Sequence, residues 1–183
     1  MTRYIVLGRF QPFHMGHAHL VKSAHDMLSG NDELVLAIGS KQAEWEPSNP
    51  WTAEERQAMI QAWADAEGII CSIVAIEDIN DPPNWVSHAS KTHGLGTLVT
   101  TDTATANLYK EAQFMVEEVE MNERERLEGW RIRQTAKMLS TVYDDEAVRE
   151  VLKASIPGPV IEWLIDSDAL FRLSTFETGV YAG

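Results

Sequence analysis

The sequence predicts an α/β fold: a parallel sheet flanked by helices, with a small helical part at the C-terminal end. Short apolar runs alternate with amphipathic stretches over the first two thirds of the 183 residues, the pattern of strands lying beneath crossover helices. The segments that follow these runs, at 8–17, 39–52, 77–88, 100–107 and 120–133, are rich in polar and special residues. Ligands of open α/β sheets sit outside the carboxyl ends of the strands, so these loops could form one composite site. Loops are polar anyway, so the pattern alone decides little. From residue 130 to about 165 only helical periods remain.

Taken in order, residues 4–8 form the first strand. Residues 17–28 form a helix with Leu20, Val21, Ala24 and Leu28 on one stripe. Residues 33–38 are the second strand, which ends at Gly39-Ser40. Thr52-Ala53-Glu54-Glu55 reads as a capping box opening a helix. That helix turns Met59, Ile60 and Trp63 inward and stops near Gly68. The run 69–76 is the third strand, and a helix begins near Asn84. Residues 97–100 are a fourth strand, 104–112 a helix and 114–119 the last strand. Helices follow at 130–140, 144–153 and around 160–165, while 174–183 shows no period. No repeat or linker divides the chain, so the expectation is one domain over 1–183, with its helical C-terminal part from about 130.

Bulk properties narrow the function. A formal net charge of −13 argues against a broad nucleic-acid or anionic-membrane surface, which needs clustered Lys and Arg. It leaves room for one small anion in a locally basic pocket. The single cysteine, Cys71, excludes an intrachain disulfide and fits a reducing compartment. Its place in an apolar run predicts a buried packing role. No apolar stretch is long enough to span a bilayer, and Met1-Thr2-Arg3 leads straight into a strand rather than a signal peptide. The expected location is cytoplasmic.

The chemistry concentrates in Gly8-Arg9-Phe10-Gln11-Pro12-Phe13-His14-Met15-Gly16-His17. A strand breaks at glycine, crosses a Pro-containing loop and enters a helix whose free N–H groups and dipole suit phosphate. Two imidazoles add donors there, and Gly16 removes a side chain that would block close approach. A lone histidine is usually structural, but a Gly-spaced pair after such a strand end favours function. Met15, His19 and His25 fall outside this pattern and read as helix-face or surface residues. The string resembles the HxGH signature of the nucleotidyltransferase superfamily. In its longer form, GRFQPFHxGH, it resembles the archaeal-type nicotinamide mononucleotide (NMN) adenylyltransferases.

The resemblance implies a Rossmann-like nucleotidyltransferase fold, in which His14 and His17 bind the ATP phosphates and stabilise charge during transfer. By the same resemblance Arg9 helps hold the phosphates, and Gly8 and Phe10 shape the backbone at the nucleotide. Ile38-Gly39-Ser40-Lys41-Gln42 with Asn49-Pro50-Trp51-Thr52-Ala53-Glu54-Glu55-Arg56 resembles the family's IGSxQ and NPFTxxER block. It puts the Ser40 hydroxyl within the NMN site. Arg56 stands evenly between a positioning role and pairing with nearby carboxylates. Asp78, Asn84 and Trp85 match a DI…N..WV segment that contacts NMN. A flat indole can stack on the cationic pyridinium ring, and Asp78 or Asn84 can hydrogen-bond the amide or ribose. Read from the residues alone, Trp85 is a core anchor.

Five of the 15 cationic residues fall between 124 and 137: Arg124, Arg126, Arg131, Arg133 and Lys137. They form either an anion site at a helix start or a solvated face paired with Glu123, Glu125 and Glu128. The family pattern here is SGTxIR, and this chain reads Glu128-Gly129-Trp130-Arg131-Ile132-Arg133. Gly129 and Arg133 carry over to the triphosphate, while Glu128 and Trp130 replace both hydroxyl residues. At Thr101-Asp102 the family has Gly-Asn near the nucleotide base; Asp102 can accept there but cannot donate.

The implied reaction is ATP and NMN to NAD and pyrophosphate by direct in-line transfer, with Mg²⁺ carried mainly by the ATP phosphates and no dedicated protein metal site. A homo-oligomer is expected by the same resemblance. Two alternatives stand: another phosphomonoester as acceptor, or an NMN- or NAD-binding sensor with weakened catalysis.

Overall fold

The computed structural model describes residues 2–121 and 125–177. Five strands and seven α-helices follow in the order β1 (Arg3–Gly8), α1 (Met15–Asp26), β2 (Glu33–Ile38), α2 (Ala53–Glu67), β3 (Ser72–Ala75), α3 (Pro82–His93), β4 (Thr97–Thr100), α4 (Thr103–Glu111), β5 (Met115–Glu118), α5 (Gly129–Leu139), α6 (Asp145–Leu152) and α7 (Gly158–Asp166). A 3-10 segment, Phe171–Thr175, comes last. The chain resolves into two compact units. One comprises Met1–Arg9, His19–Gln42 and Ile69–Asn122; the other comprises Phe10–Ala18, Ala43–Gly68 and Glu123–Gly183.

The first unit holds the whole sheet, parallel throughout, in the order β3-β2-β1-β4-β5. The strand order reverses between β1 and β4, the switch point at which α/β sheets open a crevice. Right-handed crossovers put α1 on one face and α3 and α4 on the other, because the chain moves outward in opposite directions from β1. On the α3/α4 face, Ile5, Val35, Ala37 and Leu98 meet Val86, Ala89 and Tyr109 in one buried cluster. Emptying that cluster at Leu98 by an alanine would cost about 2–5 kcal/mol. Alternation turns Val6 and Leu36 to the opposite face, where they are also fully buried.

The third strand is shorter than the apolar run 69–76 suggests. It lies at a sheet edge, and the chain needs several residues after the left-handed cap at Gly68 (φ 68°) before it reaches the register Val35↔Ser72. Ile70 is consequently 91% exposed, and Cys71 is half-buried rather than buried. An apolar run marks a strand without saying which of its residues pair. The helices α1 and α3 each begin two residues earlier than expected, which puts Gly16 and His17 in the first turn of α1.

The second unit is helical, with α2 and α6 packing on α7, and α5 on α6 and the 3-10 segment. The capping box of α2 is formed in full: Glu55 N–H donates to Thr52 Oγ1 (3.1 Å) and Thr52 N–H to the Glu55 carboxylate (2.8 Å). Asp144 caps α6 through the Glu146 and Ala147 N–H groups. A bidentate pair, Arg149 Nε to Glu162 Oε1 at 2.8 Å and Nη2 to Oε2 at 3.0 Å, joins α6 to α7. Met59, Ile60 and Trp63, expected to point inward, are fully buried or nearly so.

Candidate active site

In the second unit the loop 10–14 turns sharply, with Phe10 in the left-handed region (φ 54°) and a cis Gln11–Pro12 bond. It delivers the two histidines to the start of α1. Their rings stack with centroids 3.7 Å apart and planes at 27°. Gly16 N–H donates to His14 Nδ1 at 3.1 Å, and His14 N–H donates to His17 Nδ1 at 3.2 Å. A ring nitrogen that accepts carries no proton, so each neutral imidazole keeps its hydrogen on Nε2. The backbone thereby fixes both tautomers and leaves two Nε2–H donors. Phe10 meets the His17 ring edge-on at 4.7 Å, and Phe13 lies 5.7 Å from it and 4.8 Å from Trp63.

Burial, and then the charge of Arg133, pushes the pKa of His14 down to about 3. Burial, and then the neighbouring His14, also holds His17 well below the ordinary histidine range. At neutral pH both rings are uncharged donors, suited to phosphate oxygens and not poised as acids.

Arg133 is 3% exposed, and its Nη1 donates to the Gln11 carbonyl at 2.9 Å. Gly129 makes room for it: a Cβ there would stand 3.0 Å from Arg133 Nη1. The other cations of the 124–137 stretch go elsewhere. Arg126 and Arg131 line a cavity of about 520 Å³ with Glu125, Ile132, Gln134, Thr135 and Ser155; the Ser155 carbonyl accepts from Met15 N–H at 2.8 Å. Lys137 donates to the Phe176 carbonyl. Arg124 lies outside the described residues. The two unexpected residues at the start of α5 satisfy each other: Glu128 accepts from Trp130 Nε1 at 2.7 Å and from Arg131 Nε at 3.2 Å. Arg131 also lies over the Trp130 ring at 4.6 Å. The carboxylate that replaces a hydroxyl is thus already engaged, on a helix it leaves without a side-chain cap.

The first unit holds the remaining candidates. Gly8 ends β1 opposite Ile38, its carbonyl accepting from Gly39 N–H at 2.9 Å, and Arg9 follows it half-buried. Ser40, in the left-handed region at φ 47°, donates its hydroxyl to Asp78 Oδ2 at 2.9 Å. Gln42 closes the same clip twice, donating to the Asp78 carbonyl at 3.2 Å and accepting from Asp78 N–H at 3.0 Å. The loops after β2 and β3 are therefore locked together at Ser40 and Asp78. Asn84 is exposed in the first turn of α3 and donates to Asp81 at 2.8 Å. Trp85 is half-buried, packed against the core cluster and edge-on to His88 at 6.1 Å. Asp102 caps α4, accepting from Thr105 N–H at 2.7 Å and from its hydroxyl at 2.8 Å.

Three positions that the sequence left without a role are structurally engaged: Gln11 and Gln42, both inside quoted motifs, and Arg172, in a stretch with no motif at all. Arg56, left even by the sequence, is fully buried and returns its Nε to the Thr52 carbonyl at 3.1 Å. His19 bonds the Glu120 carbonyl from an exposed position. Among the described residues no group of three or more His, Cys, Asp or Glu side chains could hold a metal ion.

Residues 5–151 match the model of the cytidylyltransferase-like family. The chain is 35% identical over 176 residues to the nicotinamide-nucleotide adenylyltransferase of Methanolobus tindarius, covering 96% of this chain and 94% of that one. It is 33% identical over 178 residues to the protein of that name in Thermoplasma acidophilum, covering 96% and 92%. Two structures of a bifunctional NMN adenylyltransferase/ADP ribose pyrophosphatase from Francisella tularensis share the fold, with TM-scores of 0.61 and 0.57 at 17% and 18% identity. They cover 93% and 97% of this chain, which spans only 52% and 58% of theirs; one was solved with AMP and a Mn ion. From its opening strand through α6, this chain belongs to the cytidylyltransferase-like family, alongside the archaeal nicotinamide-nucleotide adenylyltransferases.

Proposed function

We propose that this enzyme transfers the AMP moiety of ATP to the 5′-phosphate of NMN, giving NAD and pyrophosphate. The observation that carries the reading is the pair of stacked, neutral imidazoles, each with Nδ1 tied to a backbone N–H and Nε2–H left as a donor at the start of α1. The archaeal relatives of that name support the choice of substrates.

An oxygen of the NMN phosphate attacks the α-phosphorus of ATP in line. The new P–O bond forms as the bond to the bridging oxygen breaks, and pyrophosphate leaves with that electron pair. A phosphate monoester is anionic near neutral pH, so no general base is needed; the protein aligns the reactants and stabilises charge. His14 and His17 donate to the triphosphate, whose negative charge raises the pKa of both rings and strengthens those bonds. Arg133 and Arg9 add fixed positive charge, and the small residues Gly8, Gly16 and Gly129, with Phe10, admit the nucleotide. Asp102 lies beside the base. Ser40, Asp78 and Asn84 bind the NMN half, and Trp85 stacks on its pyridinium ring.

A divalent cation, which we take as Mg²⁺, is carried by the phosphate oxygens and water, where it neutralises charge on the triphosphate. We read the chain as one nucleotidyltransferase domain, working as a cytoplasmic homo-oligomer. Among the described residues no helix is long and apolar enough to cross a membrane. Incubation with ATP, Mg²⁺ and NMN, followed by chromatography, should show NAD. Pyrophosphate release with a different phosphomonoester, and none with NMN, would replace the acceptor. Tight NMN binding with no product would make the protein a sensor.

A further inference from the structure

The second unit contains a buried hydrogen-bonded chain that no motif announces. The Gln11 side chain grips the backbone of Trp51 at both ends: Nε2 donates to the Trp51 carbonyl at 2.8 Å, and Oε1 accepts from Trp51 N–H at 3.0 Å. Its own carbonyl accepts from Arg133 Nη1 at 2.9 Å. Gln11 and Trp51 are 4% and 0% exposed, so this amide has no water to fall back on and must satisfy both its ends here.

Trp51 is in turn held from the C-terminal segment. Its indole Nε1 donates to the Ala169 carbonyl at 3.1 Å, a bond that a phenylalanine could not make. Arg172 grips the residues on either side of it. Nη1 donates to the Pro50 carbonyl at 2.9 Å, and the guanidinium forms a two-bond pair with Glu55 at 2.6 and 2.7 Å. Its guanidinium lies 3.6 Å from the centre of the Trp45 ring. Burial pushes the Glu55 pKa up, but the bonds from Arg172 and Thr52 together outweigh it and hold that carboxyl below its ordinary range. The C-terminal segment thus fixes Trp51, Trp51 fixes Gln11, and Gln11 fixes the atom on which Arg133 rests.

We infer that Gln11 is a positioning residue for Arg133, braced through Trp51 by the segment that carries Ala169 and Arg172. It does not touch substrate; it sets where the Arg133 guanidinium stands when the triphosphate arrives. The inference rests on the reading of Arg133 as a triphosphate residue. A guanidinium that must find its place after binding loses affinity for the anion it was placed to meet.

The test is calorimetric titration of the intact protein with ATP·Mg²⁺ and, separately, with NMN, for wild type, Gln11→Met, Arg133→Ala and the double variant. Gln11→Met should weaken ATP binding about tenfold and leave NMN binding within twofold, with no further effect in the Arg133→Ala background. Trp51→Phe keeps an aromatic ring while removing the indole N–H that bonds Ala169 and part of the buried packing, and it covers the case in which Gln11→Met fails to fold. It should weaken ATP binding about threefold, and again not at all without Arg133. Unchanged ATP affinity in the folded variants, equal losses for ATP and NMN, or losses that multiply with that of Arg133→Ala would each overturn the inference. ATP binding without NAD formation counts against adenylyl transfer alone, because the titrations still decide the role of Gln11. Wild-type protein that binds no ATP would overturn both.

Discussion

Acidifying the protein should expose the energy with which the fold keeps its histidines neutral. His14 has a pKa near 6.5 in an unfolded chain and about 3 in the folded one, lowered by burial and then by Arg133. Between these values the unfolded chain takes up a proton that the folded chain refuses. The group's contribution to stability is therefore complete above about pH 6.5 and declines as the pH falls towards 3. Each pH unit in that window corresponds to about 1.4 kcal/mol, so lowering the pH from 7 to 5 removes about 2 kcal/mol through His14 alone. His17 is displaced in the same direction and adds to the loss. The assay is urea unfolding of wild type and His14→Gln at both pH values. The carboxylates titrate alike in the two proteins, so the difference reports His14 together with the part of the His17 displacement that His14 causes. The variant should lose about 2 kcal/mol less than wild type over this interval. Parallel losses in the two proteins would show that His14 is not held neutral by the fold, and the argument from paired neutral donors would go with it.

Other consequences are local. Trp85→Ala should raise the KM for NMN about tenfold with little change for ATP, as expected for a ring that stacks on a cation. Equal effects on both substrates would return Trp85 to the core that it partly packs against. Ser40→Ala leaves Asp78 with its Gln42 bonds but without the hydroxyl; steady-state kinetics should show a several-fold higher KM for NMN, within the range of one lost hydrogen bond. Thr52→Ala breaks the side-chain half of the α2 capping box and should cost about 1 kcal/mol in thermal or urea unfolding.

Features coded by neighbouring residues were legible. The capping box at Thr52 and Glu55, the inward Met59, Ile60 and Trp63, and the strands 33–38 and 97–100 follow from local pattern and reappear in the structure. The family and its fold came from a ten-residue string, because a phosphate-binding loop needs particular residues in a fixed order. Features coded by distance were not legible. Arg172 and Glu55 are 117 residues apart, and Arg133 and Gln11 are 122 apart, so no window of sequence contains either pair. The short third strand is a matter of sheet order, which an apolar run does not record. Glu128 and Trp130 read as departures because a pattern registers the missing hydroxyls. Only the structure shows that each new side chain bonds the other. The tautomers of His14 and His17 depend on two backbone N–H groups, and their neutrality on burial and neighbouring charge, none of which is written in a motif of side chains.

The most direct test of the account is NAD formation by wild type and His17→Ala at saturating ATP, NMN and Mg²⁺, with melting curves to confirm that both are folded. Wild type should release pyrophosphate and NAD one for one, and His17→Ala should lose at least about 100-fold in kcat, the size of effect seen when an aligned transition-state donor is removed. A folded His17→Ala protein that turns over at the wild-type rate, or wild type that makes no NAD, would contradict it.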